Sequence, residues 1–278
     1  MTARRIRDLP RAVGAERLHA RLAARRPAVF LDYDGTLAPI VDRPEDALID
    51  ATMRSAVRRL ASRCPVCVVS GRDRQVVQRL MGLRNLIVAG SHGFDIWSPT
   101  GGCVRREETP AHTELIRDVS RRLRVAMAGI EGASVEVKSV SVAAHYRMVE
   151  EPRRAEVRRI VESLLAEHPD RLRVTPGKMV LEIQPNIDWD KGRAVLHLLS
   201  TLDLDHDDVV PLYIGDDITD EDAFQAIRER GVGIIVAGTE DGADDRITGA
   251  RYRLDGVAEV EGFLETLAAG IREGRMVD

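Results

Sequence analysis

Residues 28–37 read AVFLDYDGTL, an apolar run of strand length that ends in two aspartates and a glycine turn. Short apolar runs of this kind alternate along the chain with amphipathic helical stretches, which is typical of a parallel sheet covered by helices on both faces. In such a sheet, ligands bind beyond the carboxyl ends of the strands. Asp32 and Asp34 follow the strand directly, so this edge of the sheet is where we expect a functional site.

The same alternation occurs in two blocks of the chain, separated by a segment with a different pattern. In the two blocks we predict strands at 28–31, 66–69, 86–89, 209–214 and 232–236, and helices at 51–63, 73–81, 190–202 and from 220 onward. In the segment between them we predict strands at 134–138, 141–147, 172–174 and 180–183 and a helix at 152–167. The predicted fold class is therefore α/β. A doubly wound, mostly parallel, Rossmann-like core at 1–103 and 186–278 would carry an inserted small α+β domain at 104–185.

The composition excludes several protein classes. The chain has 278 residues, of which 44% are hydrophobic and 31% charged, and these values exclude wholesale disorder. No apolar run approaches the roughly 18 residues of a membrane helix, and the arginine-rich start lacks the apolar stretch of a signal peptide. We therefore expect a cytoplasmic protein with no membrane partner. A net charge of −4 gives no general attraction for nucleic acid, so we expect no nucleic-acid partner either.

The cysteines and lysines carry more specific information. Cys64 and Cys67 form a C-x-x-C pair, but this pair runs into a predicted buried strand instead of opening a helix, which disfavours a redox motif. Only three of the 41 basic residues are lysines, namely Lys138, Lys178 and Lys191. In a chain so rich in arginine, a remaining lysine indicates a place that needs a compact point charge.

A second group of carboxylates follows the strand at 209–214, where residues 215–222 read GDDITDED. The end of this segment has the spacing of a helix capping box, and acidic residues suit the first turn of a helix. Asp216 and Asp217 precede that turn. Two sets of carboxylates at one sheet edge would repel each other unless a cation lay between them. Oxygen ligands favour a hard ion such as Mg²⁺.

A phosphate substrate would complete the charge balance at this edge. The second predicted strand ends in Ser70, Gly71 and Arg72, which offer a hydroxyl, a permissive backbone and a guanidinium to phosphoryl oxygens. Lys191 opens a predicted helix and can supply a point charge. In phosphoryl transfer the protein positions the groups and neutralises developing charge. Carboxylates, metal, hydroxyl and lysine together therefore predict a phosphoryl-transfer site.

Taken in chain order, these motifs resemble those of the haloacid dehalogenase superfamily of phosphatases. The four motifs are DYDGT at 32–36, Ser70, Lys191 and GDD at 215–217. Within that superfamily the chain resembles the trehalose-6-phosphate phosphatases. The narrower match rests on SGR at 70–72, GSHG at 90–93, KSVSVAAHYR at 138–147, GKMVLEI at 177–183 and TDEDAF at 219–224. The resemblance covers nearly the whole chain and implies the strand order of that superfamily.

The resemblance implies a set of catalytic residues. Asp32 would attack phosphorus and form an aspartyl-phosphate, a known role for carboxylates. Asp34 would act as the acid that protonates the departing sugar oxygen and as the base that deprotonates water. Ser70 and Lys191 would complete the catalytic set.

The resemblance also implies a magnesium ion as cofactor. Its ligands would be Asp32, the backbone carbonyl of Asp34, and Asp216. Asp217 and Asp220 would hold water molecules on the ion or orient Lys191.

By the same resemblance, the inserted domain would be a cap that closes over the sugar. The residues expected to bind the substrate are Gly71, Arg72, His92, Glu136, Lys138, Arg147, Lys178 and Glu182. Alternation along a strand places Glu136 with Lys138, and His145 with Arg147, on one face each. By themselves such pairs are typical of surface ion pairs, and the family pattern favours sugar contacts instead.

Three positions stay open between two interpretations. His92 either contacts the sugar or stabilises its loop, and His145 and Arg147 either bind substrate or hold the cap sheet together. Gln184 departs from the family pattern, because many relatives have arginine there. We expect the loss of that cation to alter cap closure or sugar preference.

The resemblance implies hydrolysis of trehalose 6-phosphate, the last step of trehalose biosynthesis, by a monomeric enzyme with a functional link to trehalose-6-phosphate synthase. Two alternatives stay open. One is a phosphatase of another sugar phosphate, such as sucrose 6-phosphate or a glycosylglycerate phosphate. The other is a catalytically silent regulatory domain that binds a synthase or a sugar phosphate. Against the second, the chain retains all of Asp32, Asp34, Ser70, Lys191 and Asp216, which a silent domain has no chemical need to keep.

Overall fold

The computed structural model describes residues 4–99, 101–105, 110–177, 179–238 and 245–271. The chain forms two compact units. The core unit comprises Met1–Val104 and Asp190–Asp278, and the inserted unit comprises Arg105–Trp189. The end of the inserted unit is fixed by hydrogen bonds within that unit, since the N–H of Asn186 donates to the carbonyl of Arg171 and the Arg173 guanidinium donates to the carbonyl of Trp189.

Both units are built from strands and helices. The strands are β1 (Arg4–Arg5), β2 (Arg26–Leu31), β3 (Val66–Val69), β4 (Ile87–Gly90), β5 (Asp95–Ser98), β6 (Gly102–Arg105), β7 (Ser134–Val137), β8 (Val142–His145), β9 (Leu172–Gly177), β10 (Val180–Pro185), β11 (Val209–Gly215), β12 (Val232–Val236), β13 (Ile247–Thr248) and β14 (Tyr252–Leu254). The helices are α1 (Glu16–Ala24), α2 (Ala51–Ala61), α3 (Arg74–Met81), α4 (Pro110–Met127), α5 (Glu151–Ala166), α6 (Lys191–Thr201), α7 (Asp220–Ile227) and α8 (Val257–Gly270). Each helix among the described residues is too short or too polar to span a lipid bilayer.

The main sheet of the core unit has the order β14-β12-β11-β2-β3-β4-β5-β6. The six strands from β14 to β4 run parallel, and β5 pairs antiparallel with β4. Every residue of β3, β11 and β12 is buried, as expected for parallel strands covered on both faces. The predicted α/β fold with a mostly parallel sheet is thus confirmed.

The register of the central strands determines where their carboxyl ends meet. Leu31 at the end of β2 pairs with Ile214 of β11, and the N–H of Asp32 continues the ladder to the Ile214 carbonyl at 2.9 Å. Val69 of β3 pairs with Ala89 of β4, and the N–H of Ser70 donates to the Ala89 carbonyl. Because these strands are parallel, the residues that follow them emerge at the same edge of the sheet.

The inserted unit contains a four-stranded antiparallel sheet of order β7-β8-β10-β9. Helices α4 and α5 contact this sheet, and their apolar residues form one buried cluster with strand residues such as Val142 and Ile183. Side chains one position along the strands project from the opposite face. The register there aligns Glu136, Ala143, Glu182 and Thr175 in one row across the four strands. This row lies in what we call the polar face of the inserted unit.

Several elements differ from the sequence prediction. The strand predicted at 141–147 ends at His145. The N–H of Tyr146 still donates to the Met179 carbonyl, but Met179 has a φ of +61° and Arg147 lies in a turn. Helix α4 and the short strands β5 and β6 were not predicted. The buried residues of α4, namely Leu115, Ile116, Val119, Leu123 and Met127, do recur at helical spacing, whereas β5 and β6 are only four residues long.

Candidate active site

Three buried carboxylates converge at the carboxyl edge of the main sheet. Asp32 follows β2, Asp216 follows β11 and Asp220 begins α7, and one oxygen of each lies within 4.8 Å of the others. The sequence placed Asp32 and Asp216 at this edge, and the structure brings them together. Such a set of carboxylates carries a strong excess of negative charge in a region shielded from water.

Two glycines allow the carboxylates to approach so closely. Gly35 has a φ of +75°, and a Cβ there would lie 2.1 Å from Oδ2 of Asp216. A Cβ on Gly215 would lie 2.3 Å from the carboxylate carbon of Asp220. Both glycines of the predicted motifs therefore leave space that the carboxylates of the site fill.

Lys191 supplies the positive charge at the centre of the cluster. Its ammonium lies 3.0 Å from Oδ1 of Asp32 and 2.7 Å from Oδ1 of Asp220, and the residue is only 2% exposed. Asp190 positions it, because the Asp190 side chain caps α6 by accepting a hydrogen bond from the N–H of Arg193 at 2.7 Å.

Asp220 is the most fully bonded carboxylate of the site. Its Oδ1 accepts a hydrogen bond from the Tyr213 hydroxyl as well as from Lys191, and its Oδ2 accepts from the N–H groups of Asp216 and Asp217 at 2.9 Å each. With both oxygens occupied, Asp220 orients Lys191 and shapes the loop that carries Asp216. Tyr213 was missed in the sequence because it lies within an otherwise apolar strand.

Burial and charge act against each other on these groups. Burial raises the pKa of Asp32 well above its usual value, the neighbouring carboxylates add to the rise, and Lys191 opposes it. Burial would also raise the pKa of Asp220, but Lys191, the N–H of Asp217 and the Tyr213 hydroxyl together outweigh it, and the pKa is lowered. Conversely, burial would lower the pKa of Lys191, yet Asp220 and Asp32 outweigh it and raise that pKa.

The donor set fits a hard divalent cation. One lysine balances three buried carboxylates only in part, and Asp32 and Asp216 offer carboxylate oxygen, the ligand that Mg²⁺ prefers. A divalent cation would favour the ionised form of Asp32, as Lys191 does. Asp217, the remaining predicted acidic residue, accepts a hydrogen bond from the N–H of Ile218 and lies beside this cluster.

The turn after β3 brings Arg72 to Asp34. The Arg72 guanidinium donates to both oxygens of Asp34, at 2.7 Å from Nε and 2.6 Å from Nη2. It also lies over the ring of Tyr33, 5.5 Å from the centroid. Within the same turn, the buried hydroxyl of Ser70 accepts a hydrogen bond from the N–H of Arg72 at 3.1 Å. The sequence predicted Arg72 as a substrate contact, and its pairing with Asp34 was not foreseen.

His92 packs against the same turn. Its φ is +55°, its N–H donates to the Ser70 carbonyl at 2.8 Å, and a Cβ on Gly71 would lie 2.8 Å from its ring. The neighbouring Ser91 also has a positive φ and donates to Asp73 at 3.0 Å. His92 thus supports the loop beside Ser70 and Arg72 directly, and a contact with sugar stays a prediction.

On the polar face of the inserted unit, Glu182 contacts a lysine and a serine. Lys138 lies 3.0 Å from Oε2 of Glu182, and the hydroxyl of the fully buried Ser141 donates to Oε1 at 2.5 Å. Glu136 lies 2.8 Å from Nε2 of His145. The structure therefore brings Lys138 and Glu182 together across strands. It also places Ser141 beside Glu182, although Ser141 was not predicted as a site residue from its motif.

The remaining predicted residues of this unit have different outcomes. Lys178 lies outside the described residues. The prediction that Arg147 shares a strand face with His145 is wrong, because β8 ends before Arg147. Gln184 is buried, and its side-chain amide donates to the Thr175 hydroxyl at 2.7 Å.

The C-x-x-C pair plays no part in this site. Cys64 and Cys67 are free and buried. Burial raises the pKa of Cys64 to about 12 and also raises that of Cys67. Buried thiols that are so hard to ionise are not suited to redox exchange.

Comparison with known proteins agrees with the geometry of this site. The model of a family described as trehalose-phosphatase matches residues 30–258. The trehalose-phosphate phosphatase of Mycobacterium tuberculosis is 41% identical over 271 residues, which cover 97% of this chain and 68% of that protein. The solved C-terminal domain of trehalose-6-phosphate phosphatase from Candida albicans superposes with a TM-score of 0.81 at 22% identity, covering 95% of this chain and 100% of that one. A trehalose-6-phosphate phosphatase structure from Aspergillus fumigatus gives a TM-score of 0.60 at 26% identity, covering 94% and 99%.

Proposed function

This chain belongs to the trehalose-phosphatase family, and we propose on that basis that it hydrolyses trehalose 6-phosphate to trehalose and inorganic phosphate. The observation that carries the proposal is the buried convergence of Asp32, Lys191, Asp216 and Asp220 at the carboxyl edge of the sheet. It supplies a carboxylate nucleophile, a fixed cation and oxygen ligands for a metal ion in one place.

The first half of the reaction forms a covalent intermediate. A carboxylate oxygen of Asp32 attacks phosphorus, and the bond between phosphorus and the sugar oxygen breaks. Asp34 donates a proton to the departing sugar oxygen, which leaves as the trehalose hydroxyl. Lys191 keeps Asp32 in place through its 3.0 Å contact and offsets negative charge as the phosphoryl group arrives.

The second half regenerates the enzyme. Asp34, now ionised, takes a proton from a water molecule whose oxygen attacks phosphorus, and the bond from phosphorus to Asp32 breaks to release phosphate. Because Arg72 occupies both oxygens of Asp34, proton transfer at Asp34 requires this pair to open. Opening frees the guanidinium to bind a phosphoryl oxygen, while the hydroxyl of Ser70 lies in the same turn.

The residues that would hold Mg²⁺ are Asp32, Asp216 and the backbone carbonyl of Asp34, with Asp217 and Asp220 supporting them. When bound, the ion neutralises carboxylate and phosphoryl oxygens and so reduces the repulsion between nucleophile and substrate.

We assign recognition of the sugar to the polar face of the inserted unit. Glu136, Lys138 and Glu182 provide charged acceptors and donors there that suit the hydroxyls of a disaccharide, and Arg147 and Lys178 are further candidates. The link to trehalose-6-phosphate synthase, the cytoplasmic location and the monomeric state stay predictions from the sequence.

A substrate panel tests the proposal. Phosphate release is measured from trehalose 6-phosphate, sucrose 6-phosphate and glucose 6-phosphate, with Mg²⁺ and with a chelator. We expect a strong preference for trehalose 6-phosphate that disappears in the chelator. Metal-dependent release with another favoured sugar would overturn the substrate assignment alone. Absence of release from every compound would overturn the catalytic assignment.

A further inference from the structure

The segment 246–249 contacts both ends of the loop that carries Asp216. We call residues 216–221 the metal loop. At its start, Nη2 of Arg246 donates to the backbone carbonyl of Asp216 at 3.0 Å. At its end, the N–H of Gly249 donates to a carboxylate oxygen of Glu221 at 2.7 Å. A loop tied at both ends to one segment has fewer conformations open to it than a free loop.

Arg246 also meets the negative charge of the metal loop. Its guanidinium nitrogens lie 3.9 Å from Oδ1 of Asp217 and 4.0 Å from Oε1 of Glu221. Lys191 bonds Asp220 within the same acidic stretch. The two cations thus bind different carboxylates of the stretch, and Arg246 reduces the repulsion that would otherwise push the loop apart.

The backbone of Arg246 is fixed by the N-terminal segment of the chain. The N–H of Ile6 donates to the Arg246 carbonyl at 3.0 Å. Strand β13, which begins at the next residue, pairs with β1. The guanidinium of Arg7 lies 2.6 Å from the carboxylate of Asp245. The backbone of Arg246 is therefore fixed by hydrogen bonds, and its side chain extends to the metal loop. These contacts give the arginine-rich N-terminal segment a structural role that its sequence did not indicate.

We propose that Arg246 is a positioning residue that holds Asp216 in the orientation required to bind the metal ion, an inference that rests on the magnesium site of the proposed function. Arg246 acts through the Asp216 carbonyl and the neighbouring carboxylates. Residues that orient metal ligands in this way typically change metal affinity by about ten- to hundredfold when they are removed.

Arg253 provides a matched control. Its side chain is 22% exposed against 26% for Arg246, it lies in β14 of the same unit, and it pairs with Asp255 away from the metal loop. We compare wild type, Arg246→Ala, Arg246→Lys and Arg253→Ala. Mg²⁺ binding to the substrate-free protein is measured by calorimetric titration, and the melting temperature is measured without metal.

We expect Arg246→Ala to weaken Mg²⁺ binding by about ten- to hundredfold. Arg246→Lys should recover part of the loss because it restores the charge, and Arg253→Ala should bind Mg²⁺ as wild type does. Should Arg246→Ala fail to fold, Arg246→Lys decides, since a smaller loss in the same direction supports the inference and unchanged affinity overturns it.

Two other outcomes also overturn the inference. Unchanged affinity in Arg246→Ala, in a protein whose wild type binds Mg²⁺, overturns it and leaves the proposed function intact. An equal loss in Arg253→Ala would show that general destabilisation is the cause. If the wild type itself binds no Mg²⁺, the magnesium site of the proposed function fails and the role of Arg246 fails with it.

Discussion

The carboxyl edge of the core unit and the polar face of the inserted unit both carry paired acids and bases, but they hold them differently. In the core unit, Lys191 and Asp220 are almost fully buried, and backbone N–H groups and Tyr213 occupy the remaining acceptor positions of Asp220. In the inserted unit, the side chains of Glu136 and His145 are 37% and 24% exposed, and their contact lies within reach of water. The side chains of Lys138 and Glu182 there are only 9% and 10% exposed.

The difference corresponds to two chemical tasks. A buried, fully bonded ion pair keeps one geometry, because any rearrangement leaves an uncompensated charge in a region without water. Such a geometry suits the phosphoryl group, which every substrate shares. A partly exposed pair such as Glu136 with His145 can exchange protein partners for sugar hydroxyls at small cost. We therefore expect substitutions in the core unit to affect every phosphate ester and those on the polar face to affect the disaccharide alone.

The largest effect should come from Asp32→Asn. The amide has nearly the shape of the carboxylate but cannot form the phosphoryl intermediate, so kcat should fall on the order of 10⁴-fold or more. Both trehalose 6-phosphate and p-nitrophenyl phosphate should lose turnover, while circular dichroism stays unchanged. Appreciable residual turnover of either substrate would contradict the assignment of Asp32 as nucleophile.

A second test uses the close approach of Gly35 to Asp216. Gly35→Ala adds strain at a φ of +75° and places a Cβ where Oδ2 of Asp216 lies, so kcat/KM should fall for both substrates. Gly14→Ala is the control, since Gly14 has a φ of +74° with no atom within 4 Å of the added Cβ. Each variant should lose about 1–2 kcal/mol of unfolding free energy from the backbone strain, and only Gly35→Ala should lose activity. Full activity in a folded Gly35→Ala protein would show that the carboxylates need no such close packing.

A smaller effect is expected from Ser141→Ala. Without the hydroxyl, Glu182 keeps Lys138 but loses its partner at Oε1, so kcat/KM for trehalose 6-phosphate should fall about three- to tenfold. Ser120→Ala is the control, because Ser120 is also buried in the inserted unit and donates to a helix carbonyl at 2.6 Å. Equal losses in the two variants, or a matching loss with p-nitrophenyl phosphate, would mean that Ser141 serves only the stability of the unit.

The sequence was most informative where chemistry follows directly after a strand. The alternation of apolar runs was sufficient to predict that Asp32 and Asp216 would meet, because parallel strands bring their carboxyl ends to one edge. The position of Lys191 followed from its place at the start of a helix.

Hydrogen bonds that depend on how far a long side chain extends could not be predicted in this way. The pairing of Arg72 with Asp34, the hydroxyl of Tyr213 on Asp220 and the reach of Arg246 to the metal loop join residues that no periodicity relates. The extent of β8 was also misjudged, since its partner strand β10 is preceded by Met179 at a φ of +61°, in another part of the chain.

The separation of tasks between the two units is tested most directly by Glu182→Gln, assayed with two substrates. Glu182 is a buried acceptor for Lys138 and Ser141, and we propose that it binds the sugar. Loss of its charge should lower kcat/KM for trehalose 6-phosphate on the order of 10²-fold and leave kcat/KM for p-nitrophenyl phosphate at the wild-type value. An equal fall for both substrates would contradict the separation of tasks, because it would show that the polar face supports the reaction itself and does not select the sugar.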